Sequence, residues 1–238
     1  MGTVVSIRVV GSAANSPLDP ALVAAVSRAA NWFETVERAC SRFDPESELR
    51  QIARESTEPV PISPILFQAV QFAVRVAEET GGAFDPTVGH RLAARGFNRH
   101  YQSGAVSCPP MAEDPGASYR DVQLDEENQT IAFARPVGLD LGAVAKGLAV
   151  DLAVKELAPF QNFCVDAGGD LYVGGSNAEG EAWSVGIRHP RDASAMIRTL
   201  RLSDAAVCTS GDYERKGNDN DGHHLIDPRT GKTALSAV

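Results

Sequence analysis

Polar side chains that could take part in catalysis recur on loops bracketed by glycine. They are Asp85, Lys146, Asp170, Thr209, Ser210, Asp212, His224 and Asp227. Main-chain N–H groups, one lysine and a divalent cation can together hold a phosphate, and a histidine can accept a proton near neutral pH. The set therefore indicates phosphate chemistry, while each loop taken alone is also compatible with an ordinary turn.

Lys146 lies in residues 138–151, where the hydrophobic period changes at Gly142. Before Gly142 the apolar residues have the spacing of an extended segment; they are Ile131, Phe133, Val137, Leu139 and Leu141. After Gly142 they recur every fourth position as one face of a helix; they are Val144, Leu148 and Leu152. The pattern predicts Lys146 in the first helical turn, where free N–H groups and the helix dipole favour an anion. A surface lysine beside a tolerated Gly147 is the alternative interpretation.

The composition of the chain limits the classes of protein to which it can belong. The chain has 238 residues, a hydrophobic fraction of 43% and a formal net charge of -9, which is typical of a soluble globular protein. The acidic balance argues against a nucleic-acid partner, because phosphate contacts need a basic surface. The four cysteines show no C-x-x-C pairing, and no apolar run approaches the roughly 20 residues that span a bilayer.

The spacing of apolar residues also predicts the elements that hold these loops. Amphipathic periods predict helices over about 20–40, 64–80 and 142–157, and a second short helical turn or loop begins at 47–49. Alternation predicts an opening strand near 4–9, strands near 119–124, 130–141, 163–166 and 171–173, and an antiparallel meander completed by 183–187 and 196–202. This order predicts an α+β fold, with antiparallel sheets packed against amphipathic helices in one compact domain.

Several common motifs are absent. Gly231-Lys232-Thr233 has the end of a phosphate-binding P-loop, but its first glycine would fall at Ile226. A calcium loop over 217–228 fails at Gly217 and Pro228. The chain contains no G-x-S-x-G, H-E-x-x-H or G-x-G-x-x-G, which removes the common serine hydrolase, zinc protease and dinucleotide-fold interpretations.

Seven sequence blocks, spread over nearly the whole chain, resemble the ApbE family of flavin transferases. They are Met1-Gly2-Thr3, the Ser41-x-Phe43 to Leu49 segment, Gly82 to Gly89, Asp140 to Gly147, Ala167 to Asp170, Thr209 to Tyr213, and His224 to Gly231. The resemblance implies a magnesium-dependent transfer of FMN from FAD to a threonine hydroxyl of an acceptor flavoprotein, with release of AMP. Two alternatives are hydrolysis of FAD to FMN and AMP, and FAD binding without turnover.

The resemblance also assigns roles to residues. It implies that Lys146 faces the diphosphate, that His224 is the candidate general base, and that the carbonyl of Ala143 is a magnesium ligand. The residues lining the flavin and adenine parts of the site would be Met1, Phe43, Ala83, Phe84 and Asp85. The residues shaping the pocket by hydrogen bonds would be Thr209, Ser210 and Asp212.

Two expectations follow from where the chain departs from the family pattern. The family's other magnesium ligands, an aspartate and a hydroxyl residue, would follow the strand that begins at Ser236. The resemblance thus predicts a single transferase domain over 1–238 without the family's C-terminal segment. Many relatives carry a lipoprotein signal, so the resemblance implies a periplasmic location, while the chain as given is predicted to be soluble.

Overall fold

A computed structural model describes residues 2–11, 19–52, 58–99, 104, 106, 116–192, 194–212 and 222–233. The chain divides into two compact units. The first comprises residues 3–35 and 146–213, and the second comprises residues 36–145 and 214–238. Each unit combines discontinuous stretches of chain, and the single transferase domain over 1–238 stays a prediction.

The described residues form five α-helices and nine β-strands. The helices are α1 (Pro20–Cys40), α2 (Glu48–Gln51), α3 (Pro64–Glu79), α4 (Gly89–Ala94) and α5 (Gly142–Leu157). The strands are β1 (Val5–Val9), β2 (Val60–Pro61), β3 (Val122–Asp125), β4 (Thr130–Phe133), β5 (Phe163–Ala167), β6 (Asp170–Gly174), β7 (Trp183–Arg188), β8 (Met196–Leu202) and β9 (Ala205–Cys208). All paired strands within the sheets are antiparallel, which confirms the predicted α+β class.

The first unit is built on a four-stranded sheet of order β1-β5-β6-β9. Along β5, Phe163, Val165 and Ala167 are buried, and the two residues between them are half-buried, because side chains alternate between the two faces of a strand. Small and branched residues of α1 and α5 complete this core; they are Ala25, Ala29, Ala149, Val150, Ala153 and Leu157. Strands β7 and β8 form a separate two-stranded sheet.

The second unit contains the sheet β2-β4-β3 and the helix α3. Ser63 caps α3, because its hydroxyl accepts the Leu66 N–H at 3.3 Å, and Pro64 follows at the first helical position. The helix ends before Gly81, whose φ of +59° is accessible to glycine, and the Gly82 N–H closes the end on the Ala77 carbonyl at 2.8 Å. One face of α3 is buried through Leu66, Phe67, Val70, Ala73 and Ala77.

The three long predicted helices are confirmed, and the helical turn or loop predicted to begin at 47–49 is the short helix α2. The strands predicted near 4–9, 163–166, 171–173, 183–187 and 196–202 are also present, whereas two other strands differ in extent. The strand predicted over 130–141 ends at Phe133, because the chain then bends at residues 134–135 and afterwards forms only an isolated bridge from Gly138 to Val88. The predicted strand at 119–124 begins with a 3-10 turn at Tyr119–Asp121. The later strands do not form one meander, since β9 pairs with β6 while β7, among the strands that the structure describes, pairs only with β8.

Two further features differ from the sequence expectation. The helix α4 was not predicted, because residues 89–94 carry no capping side chain or clear apolar period. The most buried residues of α5 are Ala149, Val150, Ala153 and Leu157, while Leu148 and Leu152 are half-buried. Within the described ranges, no helix combines the length and apolar character needed to cross a membrane.

Candidate functional site

Lys146 is the fifth residue of α5, so it begins the second helical turn rather than lying in the first as predicted. Its ammonium nitrogen lies 2.5 Å from Oδ2 of Asp170, the first residue of β6. The two side chains retain 29% and 14% of their exposure, so this ion pair is partly desolvated and still open to a ligand. Asp170 thus fixes the position of a cation that can be shared with an anionic substrate.

The turn that delivers Asp170 requires glycine. Gly168 and Gly169 have φ values of +67° and +95°, and the Gly169 N–H donates to the Asp166 carboxylate at 3.0 Å. A Cβ on Gly168 would overlap the Thr3 hydroxyl, and one on Gly169 would lie 2.8 Å from the Thr209 hydroxyl. The sequence Ala-Gly-Gly-Asp therefore allows Asp170 to face Lys146.

Thr209 and Ser210 follow strand β9, whose Cys208 pairs with Asp170 of β6. The Thr209 hydroxyl donates to the Gly169 carbonyl at 3.3 Å, and both Thr209 and Ser210 are exposed. Burial and then the negative charge of Asp170 raise the pKa of the Cys208 thiol, against the opposing charge of Lys146. The structure thus brings Lys146, Asp170 and Thr209 together in the first unit.

Asp212 forms a bidentate ion pair with Arg191. The Arg191 Nη1 and Nη2 atoms donate to the two carboxylate oxygens at 2.9 Å and 2.6 Å. Hydrogen bonding to Asp212, and then its charge, raise the pKa of the Arg191 guanidinium. Both oxygens of Asp212 are therefore engaged with a side chain that the sequence analysis did not single out.

In the second unit, Asp85 is buried and holds its own loop. One carboxylate oxygen accepts the Thr87 N–H at 2.8 Å and the Thr87 hydroxyl at 2.7 Å. The other accepts the Tyr119 N–H at 3.1 Å. The adjacent residues Ala83 and Phe84 are exposed and half-buried, respectively. Asp85 therefore determines how this loop presents its neighbours.

Arg42 and Asp140 form a second ion pair near the start of α5, also within the second unit. Arg42 Nε lies 2.5 Å from Asp140 Oδ2, with side-chain exposures of 8% and 15%. Asp140 Oδ1 accepts the Gly142 N–H at 2.7 Å, which satisfies one of the free donors at the start of the helix. The guanidinium also stacks 4.1 Å from the ring centroid of Phe43 and donates from Nη2 to the Phe97 carbonyl.

The remaining predicted residues have separate placements. His224 is half-buried in the second unit, with its ring edge-on to Phe97 at 6.3 Å between centroids. Ala143 is exposed in the first turn of α5. Met1 lies outside the described residues.

The described residues by themselves do not fit a complete magnesium site. Magnesium takes oxygen ligands in an octahedron, and the carbonyl of Ala143 offers one such oxygen. Within the part of the chain that the structure describes, no three His, Cys, Asp or Glu side chains come together as a metal site.

Two groups were missed by the sequence analysis, namely Arg42 and Arg191. Their acidic partners Asp140 and Asp212 lie far away in sequence, so no local pattern could pair them. A signal existed for Asp140, because an aspartate two residues before a helical glycine is typical of a turn that caps a helix start.

Comparisons with known proteins identify relatives of this chain. The model of the ApbE family matches residues 1–238. A FAD:protein FMN transferase from Chlamydia trachomatis is 31% identical over 206 residues, covering 84% of this chain and 63% of that protein. The enzyme of the same name from Vibrio cholerae is 30% identical over 214 residues, covering 87% and 64%. The chain thus spans slightly less than two thirds of the length of these curated relatives.

Solved structures show the same fold. The flavin transferase ApbE from Vibrio cholerae superposes with a TM-score of 0.78 at 25% identity, over 99% of this chain and 76% of that one. The ApbE protein from Thermotoga maritima gives a TM-score of 0.78 at 31% identity, over 96% of this chain and 74% of that one.

Proposed function

Because the chain belongs to the ApbE family, we propose that it is a FAD:protein FMN transferase. It transfers FMN from FAD to a threonine hydroxyl of an acceptor protein and releases AMP, with magnesium as a component of the reaction. The observation that carries the proposal is the Lys146–Asp170 ion pair, a partly exposed cation beside a glycine turn in a chain with relatives of that name.

The transfer is a substitution at phosphorus. The threonine oxygen forms a bond to the phosphorus of the FMN half, and the bond from that phosphorus to the bridging oxygen breaks. AMP leaves with the electrons of that bond, and the threonine proton passes to a base. Negative charge grows on the departing phosphate, so a positioned ammonium group lowers the barrier.

Lys146 supplies that charge in the proposal. Asp170 holds its nitrogen at 2.5 Å, which orients a side chain that would otherwise sample many rotamers. A lysine already fixed before substrate arrives loses less entropy on binding, as preorganised charge stabilisation requires.

His224 is proposed as the base that takes the threonine proton. An imidazole can accept a proton near neutral pH, which is what a base for the threonine hydroxyl must do. Its half-buried position beside Phe97 limits the motion of the ring.

The flavin and adenine are proposed to contact Phe43, Ala83 and Phe84, with Met1 as a further contact. Aromatic rings bind planar groups by stacking, and Asp85 holds the loop that bears Ala83 and Phe84. Thr209, Ser210 and Asp212 are proposed to shape the pocket by hydrogen bonds. Ala143 is proposed as one magnesium ligand through its carbonyl oxygen.

A periplasmic location belongs to the same proposal and can be checked by cell fractionation.

The direct test incubates the chain with FAD, magnesium and a candidate acceptor domain, and then looks for flavin fluorescence on a denaturing gel. A fluorescent acceptor band that disappears when its threonine is changed to alanine is the expected result. AMP release without an acceptor would instead indicate FAD hydrolysis, and FAD binding without AMP release would indicate a binding protein. Omitting magnesium, or adding EDTA, is expected to abolish the band.

A further inference from the structure

The hairpin of β7, the connecting loop and β8, residues 183–202, is basic within an acidic chain. We call it the arginine hairpin. It contains four arginines and one aspartate, a formal charge of +3, in a chain whose net charge is -9. Its arginines are Arg188, Arg191, Arg198 and Arg201. Such a local reversal of sign attracts an anionic partner, since the rest of the chain repels one.

The two faces of the arginine hairpin differ. Along β7, Trp183, Val185 and Ile187 are half-buried, and the Trp183 indole N–H donates to the Gly174 carbonyl at 3.0 Å. Their neighbours on the other face, Ser184, Gly186 and Arg188, are exposed. The first face therefore anchors the hairpin within its unit, and the second is available to a partner.

The exposed face carries an apolar centre. A Cβ on Gly186 would lie 3.0 Å from the sulfur of Met196, so the methionine side chain lies over this glycine. Met196 keeps 65% of its exposure and the adjacent Ile197 keeps 57%. Exposed methionine adapts its shape to a partner, and its position beside arginine gives a surface that is both apolar and cationic.

Arginine side chains flank this centre on both strands. Arg201 pairs in register with Ser184, and Arg188 pairs with Met196 next to a β-bulge, so both lie on the exposed face. The Arg201–Glu181 ion pair is about 60% exposed on both sides, and such pairs exchange readily for another carboxylate. Within the described ranges, no acidic side chain forms an ion pair with Arg188.

The backbone of the arginine hairpin can also accept a polypeptide. Its sheet has two strands, so each strand keeps one edge that no other described strand pairs with. An extended peptide can add to such an edge by main-chain hydrogen bonds, while side chains give selectivity.

We propose that the arginine hairpin is the docking surface for an acidic, extended segment of the acceptor protein. The proposal rests on the transferase function proposed above, because that function requires a protein partner. The positive charge selects acidic segments, the open edge selects extended ones, and the Met196 centre contributes apolar contact.

The test uses the full chain loaded with FAD and two fluorescent peptides of about 15 residues with a central threonine. One peptide is rich in Asp and Glu, and its matched control has Asn and Gln at the same positions. Fluorescence anisotropy is expected to show roughly tenfold tighter binding of the acidic peptide at low salt, shrinking as salt is raised. The double variant Arg188→Glu, Arg201→Glu is expected to lose this preference.

The control variant is Arg38→Glu, Arg75→Glu, which makes the same change in net charge at exposed positions on α1 and α3. This control variant is expected to keep the preference for the acidic peptide. If the hairpin reversal lowers the melting temperature, Arg188→Gln with Arg201→Gln removes the charge more mildly. Equal binding of both peptides, equal loss in the control variant, or tighter binding of a single-stranded oligonucleotide would overturn the proposal.

Mass spectrometry of the same samples separates the two proposals. FMN on the acidic peptide supports transfer and docking together. If peptide binding depends on the arginines but no threonine substrate receives FMN, the transferase function is contradicted and the docking surface is supported. If FMN is transferred to both peptides without a preference, the docking surface is contradicted and the transferase function is supported.

Discussion

The Asp85 loop and the Lys146–Asp170 pair use a carboxylate in opposite ways. Asp85 is 7% exposed, and its two oxygens accept three hydrogen bonds from Thr87 and Tyr119. Asp170 instead faces one lysine that is 29% exposed. The first carboxylate is committed to holding backbone, whereas the second holds a charge that a ligand can reach.

Aspartates in similar sequence surroundings can therefore have two different roles. The sequence predicts both aspartates on glycine-bracketed loops, and both belong to blocks that resemble the same family. Their surroundings separate a residue whose loss should damage stability from one whose loss should damage activity. Substitutions of the two kinds of residue should therefore differ in whether they lower activity or stability.

Replacing Lys146 with methionine is expected to lower FMN transfer by about 10²- to 10³-fold, because one preorganised charge is lost where negative charge develops. The matched control is Lys155→Met, an exposed lysine in the last turn of the same helix. Steady-state rates with FAD and an acceptor domain are the measurement. Equal rates of FMN transfer in the Lys146→Met and Lys155→Met variants would contradict the proposed role of Lys146 in the reaction.

Replacing Asp85 with alanine is expected to reduce the free energy of unfolding by about 2–3 kcal/mol, because buried N–H donors of Thr87 and Tyr119 lose their acceptor. Urea denaturation of Asp85→Ala and of Asp170→Asn measures the contrast. The second variant keeps the side-chain shape and is expected to lose less. A smaller loss in Asp85→Ala than in Asp170→Asn would refute the structural role of Asp85.

The buried thiol of Cys40 makes the stability of the protein depend on pH. Burial, and then the charge of Glu48, raise the pKa of the Cys40 thiol to about 12. The unfolded thiol ionises near pH 8.5, so the unfolded state loses its proton first and stability falls as pH rises from about 9 towards 12. Its contribution to the slope approaches about 1.4 kcal/mol per pH unit.

Unfolding of wild type and Cys40→Ala at several pH values between about 9 and 11 measures this slope. The Cys40→Ala variant is expected to lose less stability per pH unit than the wild type, whatever its stability at neutral pH. Parallel pH profiles of the two proteins would show that Cys40 is not the cause.

In the native protein near pH 8, a thiol reagent is expected to modify exposed Cys208 before buried Cys40.

The smallest effect is expected at the Arg201–Glu181 ion pair, whose side chains are 60% and 59% exposed. Glu181→Gln should change the free energy of unfolding by less than about 0.5 kcal/mol, since solvent screens such pairs. Urea denaturation of this variant supplies a baseline for the larger changes. A loss comparable to that of Asp85→Ala would mean that exposure does not separate the two kinds of residue.

Sequence patterns predicted the helices better than the strands. Ser63-Pro64 and Gly81-Gly82 mark the ends of α3 because caps depend on neighbouring residues alone. The run from Val137 to Leu141 alternates like a strand but has no paired ladder, since strand formation depends on a partner that local sequence does not specify. The same limit applies to Arg42 and Arg191, whose ion pairs join distant parts of the chain.

The sequence indicated which residues belong to the candidate site, but not which of these residues contact one another. The glycine turn before Asp170 and the lysine of α5 were visible as separate motifs. That Asp170 faces Lys146 depends on how β6 and α5 pack in the first unit. Lys146 lies about one residue beyond the first helical turn, because Gly142, taken as the point where the period changes, is itself the first helical residue.

A crystal structure of the chain with FAD tests the central claim most directly. We predict that the Lys146 ammonium lies within about 3.2 Å of a diphosphate oxygen, with Asp170 still in contact with it. A diphosphate bound elsewhere, with Lys146 paired to Asp170 alone, would contradict the proposed mechanism.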